Sequence, residues 1–207
     1  MIMRGRIIVV GGHSRGVGKT ALSVALVRAL APRAVVTVKV SAHRHGGGHV
    51  AIEEDAAPSL ATSTGRCLAA GAARAFLCRC PDGQLHEVAA LVRVLSSGGC
   101  DVVVESNRMA PLLNADLTLF VASSDTPDWK VSSELCLARA DALVLAPGSV
   151  VSPRVRDTVE MHRLGLMPVL RFDPTWCIPG LPRWITHLTR RAGRFVAAPA
   201  IRSAMHR

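Results

Sequence analysis

The segment that most constrains the fold of this chain runs from residue 6 to residue 31. "RIIVVGG" (6–12) is a continuous apolar run typical of a buried strand, and "TALSVALVRALA" (20–31) carries its apolar residues at helical spacing. The glycine-rich stretch "GGHSRGVGKTAL" joins the two patterns. A strand, a glycine-rich turn and a helix in this order predict the start of an α/β domain with a parallel sheet.

The rest of the chain continues this alternation. Helical patterns at 59–72, 84–97, 130–139 and 152–163 lie among further strand-like runs, which cover 34–40, 73–80, 100–106, 116–122, 141–147 and 166–172. These runs are continuously apolar, which is typical of a sheet covered on both faces. The pattern predicts a three-layer α/β/α fold with a mainly parallel sheet of about seven strands.

The length of 207 residues suits one sizeable α/β domain. We assign residues 1–172 to that domain and residues 173–207, which are richer in Pro and Arg, to an extension packed on it. No apolar run approaches the length of a membrane span, and "MIMRGRIIVVGG" is too short and too soon glycine-rich for a signal peptide. These features predict a cytoplasmic protein that does not enter a membrane.

The formal net charge of +10 raises the hypothesis of a nucleic-acid partner. Against it, the chain has no Tyr, four Phe and three Trp, so it lacks an evident aromatic surface for stacking bases. The basic residues are also spread along the sequence, and we do not expect nucleic acid as a partner. Lysine is scarce, occurring as Lys19, Lys39 and Lys130, which draws attention to positions that need a compact ammonium group.

The end of the glycine-rich stretch fits the phosphate-loop consensus G-x-x-x-x-G-K-[ST] at Gly18, Lys19 and Thr20. The position of the first consensus glycine holds His13 instead, directly after Gly11 and Gly12. The match is imperfect, but the flanking strand and helix are those that a P-loop NTPase fold requires.

The chemistry of such a loop assigns roles to its residues. Backbone N–H groups at the start of the helix wrap a β-phosphate, and glycines at 16 and 18 allow the unusual φ angles and the close approach. Lys19 is predicted to bridge the β- and γ-phosphates, and Thr20 to offer its hydroxyl to Mg²⁺. The predicted nucleotide-binding residues are His13, Ser14, Arg15, Gly16, Val17, Gly18, Lys19, Thr20 and Ala21.

A phosphate loop also needs a carboxylate on the Mg²⁺ side. Glu105 ends the buried run "DVVVES", and the carboxyl ends of parallel strands face the ligand crevice. We therefore predict Glu105 as a Mg²⁺ ligand together with Thr20, and as a catalytic residue together with Lys19. Asp125, just beyond the next strand, is the weaker candidate.

The segment "SAHRHGGGHVAIEED" (41–55) follows the second strand, in which Lys39 lies close to the carboxyl end. Its three consecutive glycines favour a loop that closes over the site, with Lys39, His43, His45 and His49 as gate or second-site residues. Two alternatives remain open: a metal site built from the histidines, and a solvated surface loop.

Several stretches in order resemble the MobB-type P-loop proteins, named for molybdopterin-guanine dinucleotide biosynthesis protein B. They are "IIVVGGHSRGVGKTAL", "VVTVKVSAHRHG", "TGRCLAAGAARAFL" and "DVVVESNRM", and they cover roughly the first half of the chain. The resemblance implies a Mg²⁺-dependent protein that binds GTP or ATP, hydrolyses it slowly and often forms a homodimer. It also implies an accessory role in molybdenum cofactor dinucleotide biosynthesis, with a biosynthetic enzyme or a molybdopterin-type ligand as partner.

The chain departs from that family's pattern at two places. Glu105 is followed by Ser-Asn where the family has Gly, and "LVLAPGS" stands where a guanine-reading Asn-Lys-x-Asp motif would be expected. GTP and ATP therefore remain alternatives. Two other functions also stay open: a metal-delivery GTPase that uses the histidines, and an ATP-dependent small-molecule ligase resembling dethiobiotin synthetase.

The three tryptophans receive separate predictions. Trp129, which follows the fifth predicted strand, is placed to reach a base or a partner. Trp176 and Trp184 are predicted to pack the terminal segment against the domain.

Overall fold

The computed structural model describes residues 4–42, 49–124, 129–161 and 167–195. The strands are β1 (Ile7–Gly12), β2 (Val35–Ser41), β3 (Ala51–Glu54), β4 (Arg74–Arg79), β5 (Asp101–Glu105), β6 (Leu117–Ala122), β7 (Ala142–Leu145) and β8 (Val169–Arg171). The helices are α1 (Lys19–Leu30), α2 (Ser63–Ala69), α3 (Leu85–Ser97), α4 (Val131–Leu137), α5 (Pro153–Met161) and α6 (Leu181–Phe195).

The strands form one sheet in the order β3-β4-β2-β5-β1-β6-β7-β8. All neighbouring pairs are parallel except β3 and β4. The predicted fold class, a mainly parallel sheet between helical layers, is confirmed. The sequence predicted about seven strands, and the additional one is β3.

Strand β3 escaped prediction because it is a short, exposed edge strand. Its four residues, "AIEE", all face solvent and carry no buried apolar run. The antiparallel pairing with β4 is accompanied by ion pairs from Arg74 to Glu54 and from Arg79 to Glu53. Charged side chains on a short edge strand also discourage pairing with a further chain.

The sheet separates two apolar cores. Alternate residues of β1 point to opposite faces, with Ile7 and Val9 packed against α3, α4 and α5, and Ile8 and Val10 packed against α1, α2 and α6. Both faces of the central strands are therefore buried, which explains why their sequences are continuously apolar.

The segment after β8 contributes to the second core. Ile178, Leu181, Ile185 and Leu188 are each at least nine-tenths buried and belong to the cluster that contains α1. The division of the chain at residue 172 into a domain and an extension stays a prediction.

Aspartates at the starts of strands accept hydrogen bonds along the amino-terminal edge of the sheet, which is the edge opposite the phosphate loop. Asp101 is fully buried and accepts hydrogen bonds from the side chains of Arg6 and Arg33. Burial alone would raise the pKa of Asp101, but these bonds outweigh it and the pKa is lowered. Asp141 accepts from the Thr118 N–H at 2.7 Å. These carboxylates have structural partners and face away from the candidate site.

Within the described residues, none of the helices combines the length and the apolar character needed to span a bilayer.

Candidate functional site

The loop between β1 and α1 has the backbone that a phosphate loop needs. Gly16 and Gly18 adopt left-handed conformations, with φ of 74° and 111°. Side chains rarely adopt these angles, so glycine is required at both positions, as the sequence predicted. Gly18 is the N-cap residue of α1, and no side chain caps the helix there. The first turn of α1 therefore directs backbone N–H groups toward the space in front of the loop.

Lys19 is folded back onto the loop. Its ammonium group donates to the backbone carbonyl of Ser14, at the opposite side of the turn. Burial lowers the pKa of Lys19; the nearby Glu105 carboxylate opposes this shift and the Lys39 ammonium adds to it. The loop thus holds a partly desolvated cation at its centre.

Glu105 contacts two other side chains in front of the loop, and Ser63 contacts the same two. Its Oε2 accepts from the Thr20 hydroxyl at 2.9 Å, and its Oε1 lies 2.9 Å from the Lys39 ammonium. Ser63, the first residue of α2, accepts from the Lys39 ammonium at 2.7 Å, and its hydroxyl oxygen lies 3.2 Å from that of Thr20. The structure therefore brings together Thr20 and Glu105, which the sequence nominated as a pair, and Lys39, which it nominated for a gate or second site.

Strand register explains this cluster. Lys39 of β2 pairs directly with Glu105 of β5, and Glu105 pairs with Val10 of β1. Neighbouring parallel strands end at the same edge, so residues at matching register positions present side chains to one crevice. The side chain of Glu105 is 9% exposed and that of Lys39 is 32% exposed, so the pair lies at the inner end of the crevice.

Asn107 fixes the start of the loop, and sequence reasoning did not single it out. Its side-chain amide donates to the Gly12 carbonyl and accepts from the Gly12 N–H, both at 2.8 Å, and it also donates to Ser133 at 2.9 Å. A Cβ on Gly12 would lie 2.8 Å from Val17 and 2.9 Å from the Val121 carbonyl. Asn107 belongs to the Ser-Asn pair that stands where the resembling family has Gly. Its structural role is to hold Gly12, the residue directly before His13.

His13 itself faces the core. Its side chain is 1% exposed and its ring stacks on Trp129 at a centroid distance of 5.7 Å, while the Trp129 ring also stacks on Phe120. The His13 N–H is bonded to the Val121 carbonyl at 3.3 Å. Burial lowers the pKa of the His13 imidazole, the nearby backbone of Val121 opposes this shift, and the Lys19 ammonium adds to it. Both ring nitrogens lack a hydrogen-bond partner among the described residues.

A crevice of about 1160 Å³ opens in front of the loop. Of the predicted nucleotide-binding stretch, Arg15, Gly16, Gly18, Lys19, Thr20 and Ala21 line it. Six basic side chains lie along its walls, namely Arg15, Lys19, Lys39, Arg66, Arg108 and Lys130, against two acidic ones, Asp82 and Glu105. Such an excess of positive charge in a concave site attracts polyanions.

Some predicted residues cannot be placed in this site. His43, His45 and Asp125 lie outside the described residues, and His49 is exposed. In the described parts of the chain, no three His, Cys, Asp or Glu side chains come together as a metal site. The gate and the histidine metal site therefore stay predictions.

Sequence reasoning also missed polar residues of the crevice besides Asn107, among them Ser63, Arg66 and Arg108. Ser63 follows the N-cap residue Thr62 of a predicted helix, and that cap pattern was its available signal. Arg66 lies on the same helix and Arg108 follows β5, but nothing in their local sequence distinguishes them from the many other arginines.

The sheet order, the strand–loop–helix unit and the left-handed glycines together define an α/β P-loop NTPase fold. No protein-family model and no curated protein matches the chain. Among solved structures, the chain is similar to the "apo" form of LpxK from Aquifex aeolicus in complex with ATP. The identity is 18%, the TM-score is 0.45, and the match covers 81% of this chain and 53% of LpxK.

The chain thus spans about half the length of LpxK. A likeness at this level carries no argument about activity, and the class of the fold rests on the sheet and the loop themselves.

Proposed function

We propose that this protein binds ATP or GTP with Mg²⁺ at the loop of residues 14–21 and hydrolyses the nucleotide slowly. The observation that carries the proposal is the convergence of Lys19, Thr20 and Glu105 on the N-terminus of α1, in front of a loop with two left-handed glycines. Lys19 and Glu105 are the proposed catalytic residues.

Thr20 and Glu105 fit a Mg²⁺ ion. Their oxygens lie 2.9 Å apart. Mg²⁺ takes oxygen ligands at about 2.0–2.1 Å in octahedral geometry, so adjacent ligands lie about 3 Å from each other. A hydroxyl and a carboxylate, completed by water and phosphate oxygens, are the donors this ion prefers. When bound, Mg²⁺ would neutralise charge on the β- and γ-phosphates.

The chain's own residues supply positioning and charge. Backbone N–H groups of the loop hold the β-phosphate, and Lys19 leaves the Ser14 carbonyl to contact the β- and γ-phosphates. Lys39, which is paired with Glu105 in the protein alone, is the proposed second cation at the γ-phosphate end. Phosphoryl transfer depends mainly on such positioning and electrostatic stabilisation, and water is the proposed acceptor.

The decisive test is binding of Mg-ATP and Mg-GTP by isothermal titration calorimetry. We expect Lys19→Ala to abolish measurable binding, because it removes the cation at the centre of the loop. Arg28→Ala, an exposed basic position on the same helix, is the matched control and should bind like the wild type. Undiminished binding by Lys19→Ala would rule the proposal out.

The metal assignment has its own test. Glu105→Gln keeps the shape of the side chain but removes its charge, so we expect hydrolysis to require at least about tenfold more Mg²⁺. The measurement is the Mg²⁺ dependence of phosphate release at saturating nucleotide. Asp82→Asn, an exposed acid on the crevice rim, should leave that dependence unchanged. An unaltered Mg²⁺ requirement in Glu105→Gln would assign the metal to another group.

A second candidate is phosphoryl transfer to a small carboxylate or hydroxyl acceptor, as in a ligase or kinase. The size of the crevice favours it, since about 1160 Å³ exceeds the roughly 300–1,000 Å³ of typical ligand pockets. Lys39, Arg66 and Arg108 line the part beyond the phosphate loop. Screening carboxylate and hydroxyl compounds for stimulated ADP release discriminates the two functions, because a hydrolase shows no stimulation.

The finer biological role rests on the sequence resemblance. We propose a MobB-like accessory protein of molybdenum cofactor dinucleotide biosynthesis, cytoplasmic and homodimeric, with a biosynthetic enzyme or a molybdopterin-type ligand as partner. The support is the order of the four resembling stretches in the first half of the chain. Light scattering tests the dimer, and cofactor analysis of a deletion strain tests the pathway.

A further inference from the structure

The crevice in front of the phosphate loop has an aromatic wall. Among the described residues that line the crevice, Trp176 is the only aromatic one, and it is 40% exposed. The indole lies against Gly18: a Cβ built on that glycine would be 2.5 Å from ring atom Cζ3. The Phe172 ring packs against the indole in a tilted arrangement, with a centroid distance of 5.1 Å.

The backbone around Trp176 is built to hold this position. Trp176 has a φ of 60°, a left-handed conformation that is uncommon for a bulky residue. Asp173 closes the turn, because its carboxylate accepts from the N–H groups of Thr175 and Cys177 and its carbonyl accepts from the Trp176 N–H. An energetically unfavourable backbone conformation that several hydrogen bonds maintain indicates that the position of this side chain has a function.

The sheet order gives the direction in which a nucleotide lies. Thr20 and Glu105 mark the metal and γ-phosphate end, and Glu105 belongs to β5, on one side of β1. Trp176 follows β8, on the other side of β1. A triphosphate held by the loop with its γ end at Glu105 therefore directs its nucleoside end toward Trp176.

We propose that the indole of Trp176 is the stacking platform for a purine base. This inference rests on the proposed nucleotide binding and adds a base-binding residue to it. Stacking requires only a flat π-face, so it accepts adenine and guanine alike. The sequence had suggested Trp129 as the residue that reaches the base. Trp129 instead stacks on His13 and Phe120, so we assign this role to Trp176.

The test compares three probes on the same proteins by calorimetry: Mg-ATP, Mg-GTP and Mg-tripolyphosphate, which has no base. Trp176→Ala is expected to weaken ATP and GTP by about tenfold each and to leave tripolyphosphate unchanged. Trp176→Phe retains a ring and should bind all three like the wild type. Trp184→Ala, a partly exposed tryptophan on α6, is the matched control and should also bind like the wild type.

Three results would overturn the platform. Unchanged nucleotide affinity in Trp176→Ala would show that the ring does not contact the base. An equal loss for all three probes in both Trp176 variants would show that the ring only shapes the loop. If the wild type bound neither tripolyphosphate nor nucleotide, the proposed function would fall together with the platform, whereas the first two results leave nucleotide binding intact.

Discussion

At the scale of single residues, His13 occupies the position of the first consensus glycine without taking a glycine's role. Its ring is buried on Trp129 and its two nitrogens have no partner in the described parts of the chain. The glycines of this loop with left-handed backbone are Gly16 and Gly18. The residue at the first consensus position therefore contributes a contact to the core.

This burial predicts an acid-sensitive fold. Burial lowers the pKa of His13 below its ordinary value of 6.5, so the unfolded chain takes up a proton at a higher pH than the folded protein. Stability is then present above about pH 6.5 and falls as the pH drops from there toward the lowered pKa. His13→Phe keeps a ring against Trp129 but has no group that titrates. We expect its free energy of unfolding to fall less than that of the wild type when the pH is lowered from about 8 to about 5.

Urea unfolding at several pH values measures this difference. His86→Gln, at an exposed histidine of α3, is the control and should follow the wild-type profile. Coincident profiles for the wild type and His13→Phe would assign the acid sensitivity to other groups.

At the scale of elements, Asn107 joins the end of β5 to the end of β1. One amide side chain satisfies both backbone groups of Gly12, which lies beyond Val10, the last residue of β1 that pairs with β5. Asn107→Ala should therefore destabilise the fold by about 1–3 kcal/mol and weaken tripolyphosphate binding, because the loop loses its fixed start. Chemical denaturation and calorimetry on the same variant measure the two effects.

Asn114→Ala, at an exposed asparagine before β6, serves as the comparison and should change neither quantity. If Asn107→Ala were as stable as Asn114→Ala, the paired bonds to Gly12 would have no net energetic value.

The elements also show what sequence patterns can and cannot foresee. The strands and helices were predicted because buried faces repeat at fixed periods, and Thr20 and Glu105 were nominated because loop and strand ends have known directions. Ser63 and Trp176 were missed as site residues because their positions depend on contacts between distant segments. Strand β3 was missed because an exposed edge strand needs no apolar pattern.

At the scale of the whole molecule, the segment after β8 completes the core on the α1 face. Burying Ile178, Leu181, Ile185 and Leu188 contributes on the order of 6–12 kcal/mol, which is comparable to the whole stability of a typical domain. We therefore expect a chain of residues 1–172 not to fold on its own, although residue 172 is the predicted end of the nucleotide-binding domain.

Circular dichroism and thermal unfolding of residues 1–172 and 1–195 test this expectation. Both lack the last twelve residues, so any difference between them isolates residues 173–195. A cooperative transition in the shorter chain would mean that the segment is an addition to a complete domain.

Two cations of the crevice, Lys19 and Lys39, are already paired inside the protein. Lys19 is bound to the Ser14 carbonyl and Lys39 to Glu105, so an incoming anion must exchange partners with the protein itself. We expect a triphosphate with its metal ion, which carries several anionic oxygens, to replace both sets of bonds. Nucleotide binding at this site is then an exchange of partners, and its net free energy is smaller than the new contacts alone would suggest.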